Sequence, residues 1–146
     1  MLRLSARGYR RVSDSFKGDA MPKLSKDSAP NIQDAGPAID RSGDLDDTTV
    51  SFVTIRQGHS LAALLRGLPG DSCQCPHWGY LLAGKITVSY ADHEEAYQAG
   101  DAFYMSPGHV PAAEAGTEFI QFSPRDQLAE TLAAMKANAQ RTMQGT

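Results

Sequence analysis

The hydrophobic pattern divides the chain near residue 48. Residues 1–48 show no sustained helical or strand-like period, and they are rich in Ser, Asp, Gly, Pro, Lys and Arg. A segment of this composition buries too little apolar surface to fold. We therefore expect residues 1–48 to form a disordered leader, 49–123 the folded domain and 124–146 a C-terminal helix.

The pattern changes at Thr49 to a series of short strands. The segment Thr49–Arg56 is β-branched and aromatic, as strands are, and Ser60–Leu65 fits one helical turn. Short strand-like segments separated by glycine, proline and aspartate follow, which predicts an all-β antiparallel sandwich or barrel rather than βαβ units. These segments are Trp78–Ala83, Ile86–Tyr90, Glu95–Gln98, Ala102–Met105 and Thr117–Phe122.

The end of the chain has the signals of a helix. Ser123 is a favourable N-cap, Pro124 suits the first helical position, and Asp126 places negative charge in the first turn. One apolar face is expected to pack on the barrel or on a partner subunit. The residues of this face are Leu128, Leu132, Met135 and Met143.

Composition excludes several classes of protein. The chain has 146 residues, enough for one domain, and its formal net charge of −3 does not favour nucleic-acid binding. No run approaches the roughly 18 apolar residues of a membrane span, and no apolar signal-peptide core is present. We therefore expect a cytoplasmic protein.

The Arg- and Ser-rich start is similar to a transit peptide, but Asp14 and Asp19 favour translation from Met21 instead.

The chain has two cysteines, Cys73 and Cys75. A disulfide between them would close a small, strained ring and would connect no distant parts of the chain. In a cytosolic protein such a pair is interpreted first as free thiols and second as metal ligands.

Two stretches resemble the conserved motifs of the cupin superfamily. The stretch from Gly100 to Pro111 is similar to the second cupin motif, in which a glycine opens a strand and a Pro–Gly turn closes it ahead of a histidine. Gly84 matches the glycine that ends the first motif. The resemblance covers residues 52–122 and implies a small jelly-roll barrel, a fold that carries many unrelated functions.

The usual cupin ligands are replaced in this sequence. Counting back from Gly84 puts His77 at the position of the motif's glutamate, and Asp71 and Cys73 at the positions of its two histidines. The third histidine position falls on Pro111. The nearest imidazole, His109, lies two residues earlier.

An alternative set of metal ligands follows from the spacing of Cys73, Cys75 and His77. In an extended strand all three side chains point to one face, and the register of the first motif puts that face inside the barrel. His109 on the facing motif would complete a thiolate and imidazole site for one divalent transition metal, zinc or iron, although copper(I) also suits thiolates. Occupancy should then fall below about pH 6, where unperturbed imidazoles take up protons.

A simpler interpretation also remains open. Cysteines pack as small hydrophobic residues, an inward histidine is often only hydrogen-bonded, and Pro76 bends strands. On the opposite face of the same strand, Trp78, Tyr80 and Leu82 form an apolar stripe. Core packing is the favoured role for this stripe, and a dimer surface is the alternative, since the resemblance implies a homodimer.

Two functions therefore stay under consideration. The first is a small-molecule or metal-binding cupin, acting as a metal-dependent enzyme on a small polar metabolite. The second is a non-catalytic barrel that binds a ligand or partner without metal, as a sensor or scaffold. The new Cys/His cluster favours the first function, and the loss of the usual ligands favours the second.

Overall fold

A computed structural model of the protein describes residues 23–144. The expectations for residues 1–22, including the start at Met21, lie outside the described residues. No helix of the described part has the length and apolar character needed to span a bilayer.

The described residues form two antiparallel sheets followed by one helix, which confirms the predicted all-β fold with a C-terminal helix. The six-stranded sheet has the order β1-β2-β3-β10-β5-β8, and the four-stranded sheet has the order β4-β9-β6-β7. The helix α1 spans Arg125–Gln144. The strands are β1 Asn31–Asp34, β2 Ala38–Leu45, β3 Thr48–Ile55, β4 His59–Ser60, β5 His77–Ala83, β6 Lys85–Ser89, β7 Glu94–Gln98, β8 Ala102–Met105, β9 Val110–Ala113 and β10 Glu118–Pro124.

The core between the sheets follows the two-residue alternation of the strands. On β8, Phe103 and Met105 are buried while Ala102 and Tyr104 are exposed. Ile86 and Val88 on β6 face the core in the same manner. Apolar side chains that alternate along short strands are sufficient to pack the two sheets face to face.

The expectation of disorder is wrong for residues 31–45. All eight residues of β2 pair with β3, and β1 pairs with β2 at the edge of the larger sheet. The hydrophobic pattern missed these strands because the inner face of β2 carries polar side chains, Asp40 and Ser42, and Gly43 is packed against Leu24 and Pro30. Strand β9 was also missed, because its sequence Val-Pro-Ala-Ala has no alternation.

The apolar stripe on β5 is on the outside of the larger sheet, so its assignment to the core is wrong. Trp78 is 49% exposed, and Tyr80 and Leu82 are exposed to a similar degree. Trp78 stacks on Tyr104 of the neighbouring strand β8, with ring centroids 5.1 Å apart. Phe122 of β10 is also exposed and pairs with Trp78.

The C-terminal helix packs mainly on a short 3-10 helix, Ala62–Leu65, and Leu128 and Met135 of the predicted face contact the core. Leu128 is 7% exposed, whereas Leu132 of the same predicted face is 38% exposed. The helix is also anchored by Asn138, whose Nδ2 donates to the carbonyls of Leu64 and Arg66 at 2.7 and 2.8 Å. The side chain of Met143 lies outside the described residues.

We expect Leu128→Ala to destabilise the protein by about 2–4 kcal/mol, because it leaves a cavity beneath the helix. Leu132→Ala is the matched control, and it should cost less, about 1 kcal/mol, because more than a third of this residue is already exposed to solvent. Chemical denaturation of both variants measures the difference. Equal losses of stability would contradict the observed orientation of the helix.

Candidate metal centre

Three of the four predicted ligands converge inside the barrel. One potential ligand atom from each of Cys73, His77 and His109 lies within 4.8 Å of the other two, and all three residues are buried. The Sγ of Cys73 lies 3.6 Å from Nε2 of His77. The imidazole rings of His77 and His109 meet edge to face, with centroids 4.9 Å apart.

Backbone pairing brings the three residues together. His77 is the first residue of β5, in the larger sheet. Cys73, in the preceding loop, forms an isolated antiparallel bridge with His109, which precedes β9 of the smaller sheet. The N–H of Cys73 donates to the carbonyl of His109 at 2.9 Å, and the carbonyl of Cys73 accepts from the N–H of Gly108 at 2.8 Å. Gly108 has φ of 96°, a left-handed conformation that glycine adopts without steric cost.

Hydrogen bonds at Nδ1 orient both imidazoles. His109 donates from Nδ1 to the carbonyl of Ser106 at 2.6 Å, since a carbonyl can only accept. Its Nε2 then carries a lone pair, is buried and has no hydrogen-bond partner in the described part of the chain. His77 pairs through Nδ1 with Oγ of Ser123 at 2.7 Å. Ser123 therefore supports the site, and the N-capping role predicted for its side chain is not observed.

The protonation states of these groups suit metal binding. Burial, and then the charge of the neighbouring His109, lowers the pKa of His77 to about 3. Burial also lowers the pKa of His109, so both imidazoles are neutral at physiological pH. Burial raises the pKa of the Cys73 thiol, which would have to release its proton to act as a ligand.

The structure does not bring Cys75 into this group. The chain bends at Cys75 and Pro76 instead of continuing as an extended strand, so the alternation behind the four-residue prediction is lost. The Sγ of Cys75 contacts the carbonyl of Pro76 at 3.6 Å, and the residue packs with Leu65 and Leu128. Burial raises the pKa of its thiol to about 12.

The donor set of the cluster fits a zinc-like ion. For a tetrahedral ion with a Zn–S distance of about 2.3 Å and a Zn–N distance of about 2.05 Å, sulfur and nitrogen lie about 3.6 Å apart. This matches the separation between Cys73 Sγ and His77 Nε2. A buried imidazole nitrogen without a partner is the second feature that a metal ion would satisfy. One thiolate and two imidazoles would leave a fourth coordination position for a ligand.

The remaining motif positions do not contribute ligands to the cluster. Asp71 is exposed, and its Oδ1 accepts from the N–H of Gly67. Pro111 lines the cavity next to the cluster, as does His59, whose Nδ1 pairs with the carbonyl of Gln57. His93 is on the surface and pairs with Asp92, as expected for a turn residue.

A cavity of about 260 Å³ adjoins the cluster. Its wall is mainly apolar, and Cys73, His77 and His109 are part of it. The apolar pattern could not indicate Asp40 as a wall residue, because Asp40 lies on β2, a strand that has no apolar alternation. The further polar residues of the wall are Gln33, Ser51, Gln121 and Thr131.

No protein-family model matches the sequence, and no curated protein is a significant match. Among solved structures, a protein of unknown function from Rhizobium leguminosarum bv. viciae 3841 is 20% identical, with a TM-score of 0.52, and the match covers 70% of this chain and 95% of that one. The structure of Fe(II) HppE is 11% identical, with a TM-score of 0.52, over 74% of this chain and 62% of that one. An RmlC-like cupin from Shewanella frigidimarina NCIMB 400 is 18% identical, with a TM-score of 0.47, over 64% and 83%.

These similarities concern the fold. Two antiparallel sheets enclose a cavity, a Pro–Gly turn leads to an inward histidine, and the fold is similar to that of the two structures with a TM-score of 0.52. The protein therefore has a cupin fold, as the resemblance implied.

Proposed function

We propose that this protein is a cupin that binds one divalent transition metal through Cys73, His77 and His109, and a small molecule in the adjoining cavity. The observation that carries the proposal is the buried Nε2 of His109, which has a free lone pair and faces a thiol and a second neutral imidazole. A ligand site of this kind is costly to bury unless an ion or a bound group satisfies it.

Zinc or iron suits the donor set. A thiolate with two imidazoles is a combination that zinc prefers, and the matched HppE structure is described as an iron(II) form. The bound ion would supply a Lewis acid to a ligand in the cavity, which supports a metal-dependent enzyme acting on a small polar metabolite. Both cysteines are free and buried, which agrees with the reducing conditions of the cytoplasm.

A non-catalytic barrel without metal is the second candidate. Its support is the packing of Cys73, whose thiol donates to the carbonyl of Cys75 at 3.6 Å and contacts Leu65 and Leu128. In this case the cysteine acts as a small hydrophobic residue, and the cavity binds its ligand through the protein's own groups alone.

We expect protein purified without chelator to contain close to one transition-metal ion per chain. Cys73→Ser, His77→Ala and His109→Ala should each weaken zinc binding by more than about 100-fold, since even second-shell changes cost 10–100-fold. Cys75→Ser is the matched control, and its metal content should not change because its sulfur lies outside the cluster. Elemental analysis and a competition titration with a chromophoric chelator measure both quantities.

Metal-free protein that cannot be loaded with zinc or iron(II), although circular dichroism shows it folded, would contradict the metal centre and leave the non-catalytic barrel. Equal losses from Cys75→Ser and Cys73→Ser would instead contradict the three-residue set.

The pH dependence of metal binding should reflect the thiol alone. The lowered pKa values of His77 and His109 mean that neither imidazole carries a proton to be displaced between about pH 6.5 and 8. Each ion then displaces one proton, from Cys73, so the affinity should rise about tenfold per pH unit through this range. Unperturbed histidines would add a further loss of affinity that begins at about pH 6.5, and this onset is not expected. A steeper slope below about pH 6.5, measured by competition titration, would contradict these protonation states.

We also propose that two copies pair through the exposed outer face of the larger sheet. Trp78, Tyr80, Leu82, Tyr104 and Phe122 are all large apolar or aromatic side chains on neighbouring strands, and none of them is charged. Contiguous exposed patches of this kind mark association surfaces more often than free surface. A second copy presents the same self-complementary face, as two-fold pairing requires.

Sedimentation velocity should therefore give twice the chain mass of 15.7 kDa. Trp78→Lys should shift the protein to monomer, because it buries an unpaired charge in the interface. Ile32→Lys is the control, since Ile32 is also exposed but lies on β1 at the opposite edge of the sheet. A wild-type monomer at all concentrations would contradict the pairing.

A further inference from the structure

Asp40 lies on the cavity wall, on strand β2. It pairs in register with Val53 of β3 on one side and with Gln33 of β1 on the other. Its Oδ1 is buried and has no hydrogen-bond partner in the described part of the chain. Among polar side-chain atoms of the described residues, only Nε2 of His109 shares this condition.

None of the ion pairs in residues 23–144 includes Asp40. The neighbouring Arg41 follows it on the strand, so its side chain points to the opposite face of the sheet. Arg125, which lines a second pocket with Asp40, donates to Oδ1 of Asp126 and to the carbonyl of Asp46, each at 3.3 Å. Arg56 is held by both carboxylate oxygens of Asp34 at 2.9 and 3.2 Å. The carboxyl group of Asp40 is therefore not part of a salt-bridge network that would explain its burial.

Burying a carboxylate without a partner is unfavourable, and this cost raises the pKa of the group. Loss of hydration raises the pKa of Asp40 to about 6. The group is still ionised at about pH 7.5 and has unused acceptor capacity directed at the cavity. A structural carboxyl would be expected to have gained a hydrogen-bond donor, as Asp44 has from the hydroxyl of Thr49 at 2.7 Å.

The surroundings of Asp40 indicate what would satisfy it. The adjacent wall is largely apolar, with the side chains of Val53, Ile55 and Phe119, and the amide of Gln121 and the hydroxyl of Ser51 are further polar groups. Such pockets bind ligands with an apolar body that is oriented by a few polar contacts.

We propose that Asp40 is the polar anchor of the cavity and that it accepts a hydrogen bond from a hydroxyl or amino group of a small polar ligand whose apolar part lies against the wall. The inference rests on the proposed small-molecule function of the cavity but not on the presence of metal. A ligand with a carboxylate at this position is excluded by repulsion between like charges.

Three ring compounds that differ only in their polar group test the proposal: cyclohexylamine, cyclohexanol and cyclohexanecarboxylate. Dissociation constants are measured by NMR titration of the full chain at about pH 7.5, where the amine is a cation and Asp40 is ionised. We expect the amine, the alcohol or both to bind at least about tenfold more tightly than the carboxylate. Preference for the amine over the alcohol would identify a cationic ligand, and the reverse a neutral one.

Asp40→Asn should reduce this discrimination to less than about threefold, because the amide removes the charge while nearly keeping the shape. Asp44→Asn is the matched control, on the same strand but exposed and outside this cavity, and it should retain the wild-type discrimination. In wild-type protein, the ¹³C resonance of the Asp40 carboxyl group should shift on addition of the favoured probe. This measurement remains valid if Asp40→Asn does not fold.

Three results would each overturn the proposal. The wild type could bind all three compounds equally, the preference against the carboxylate could survive Asp40→Asn, or the Asp40 carboxyl resonance could fail to move. Metal content is measured on the same samples, and the titrations are repeated on His109→Ala. Discrimination that persists without metal would support the anchor even if the metal centre fails. Discrimination that disappears in His109→Ala would assign the amine to the metal and overturn the role of Asp40.

Discussion

The pair of backbone hydrogen bonds that joins Cys73 to Gly108 and His109 is the contact on which the candidate site depends. Cys73 lies in the loop that leads into the larger sheet, and His109 lies in the turn that leads into the smaller sheet. Since the two sheets share no strand, this bridge sets the position of Cys73 and His77, next to the larger sheet, relative to His109, next to the smaller one. The tight turn at Gly108 makes the bridge possible, because a side chain there would be strained at this φ.

The hydrogen bonds at Nδ1 of His77 and His109 explain how two imidazoles can be buried in so small a domain. Both imidazoles use one nitrogen for a hydrogen bond to the protein and turn the other towards Cys73. Desolvation keeps them neutral, which is the ligand form and also the form that is less costly to bury. The two imidazoles are thus held in fixed orientations by the protein's own groups.

The cavity is closed by elements from both ends of the described chain. Strand β2 supplies Asp40 to its wall, and helix α1 supplies Leu128 and Thr131. The helix stays in place through Asn138, whose amide satisfies two carbonyls of the short 3-10 helix beneath it. A polar residue thus adds to the packing of Leu128 and Met135, because the surface below the helix presents backbone acceptors.

The sequence alone determined the fold class, most of the central strands and three residues of the candidate site. Alternating apolar residues and glycine or proline turns are local signals, and they define short antiparallel strands wherever one face is apolar. Local patterns could not reveal β1 and β2, whose inner face is polar because it borders a cavity. Only the tertiary structure separated Cys75 from Cys73, His77 and His109, because the bend at Pro76 ends the alternation on which their common face was argued. It also decided that Trp78 faces outwards and that Asp40 faces the cavity, since the face of a strand that is covered depends on residues distant in sequence, which only the pairing of strands and packing of sheets bring near.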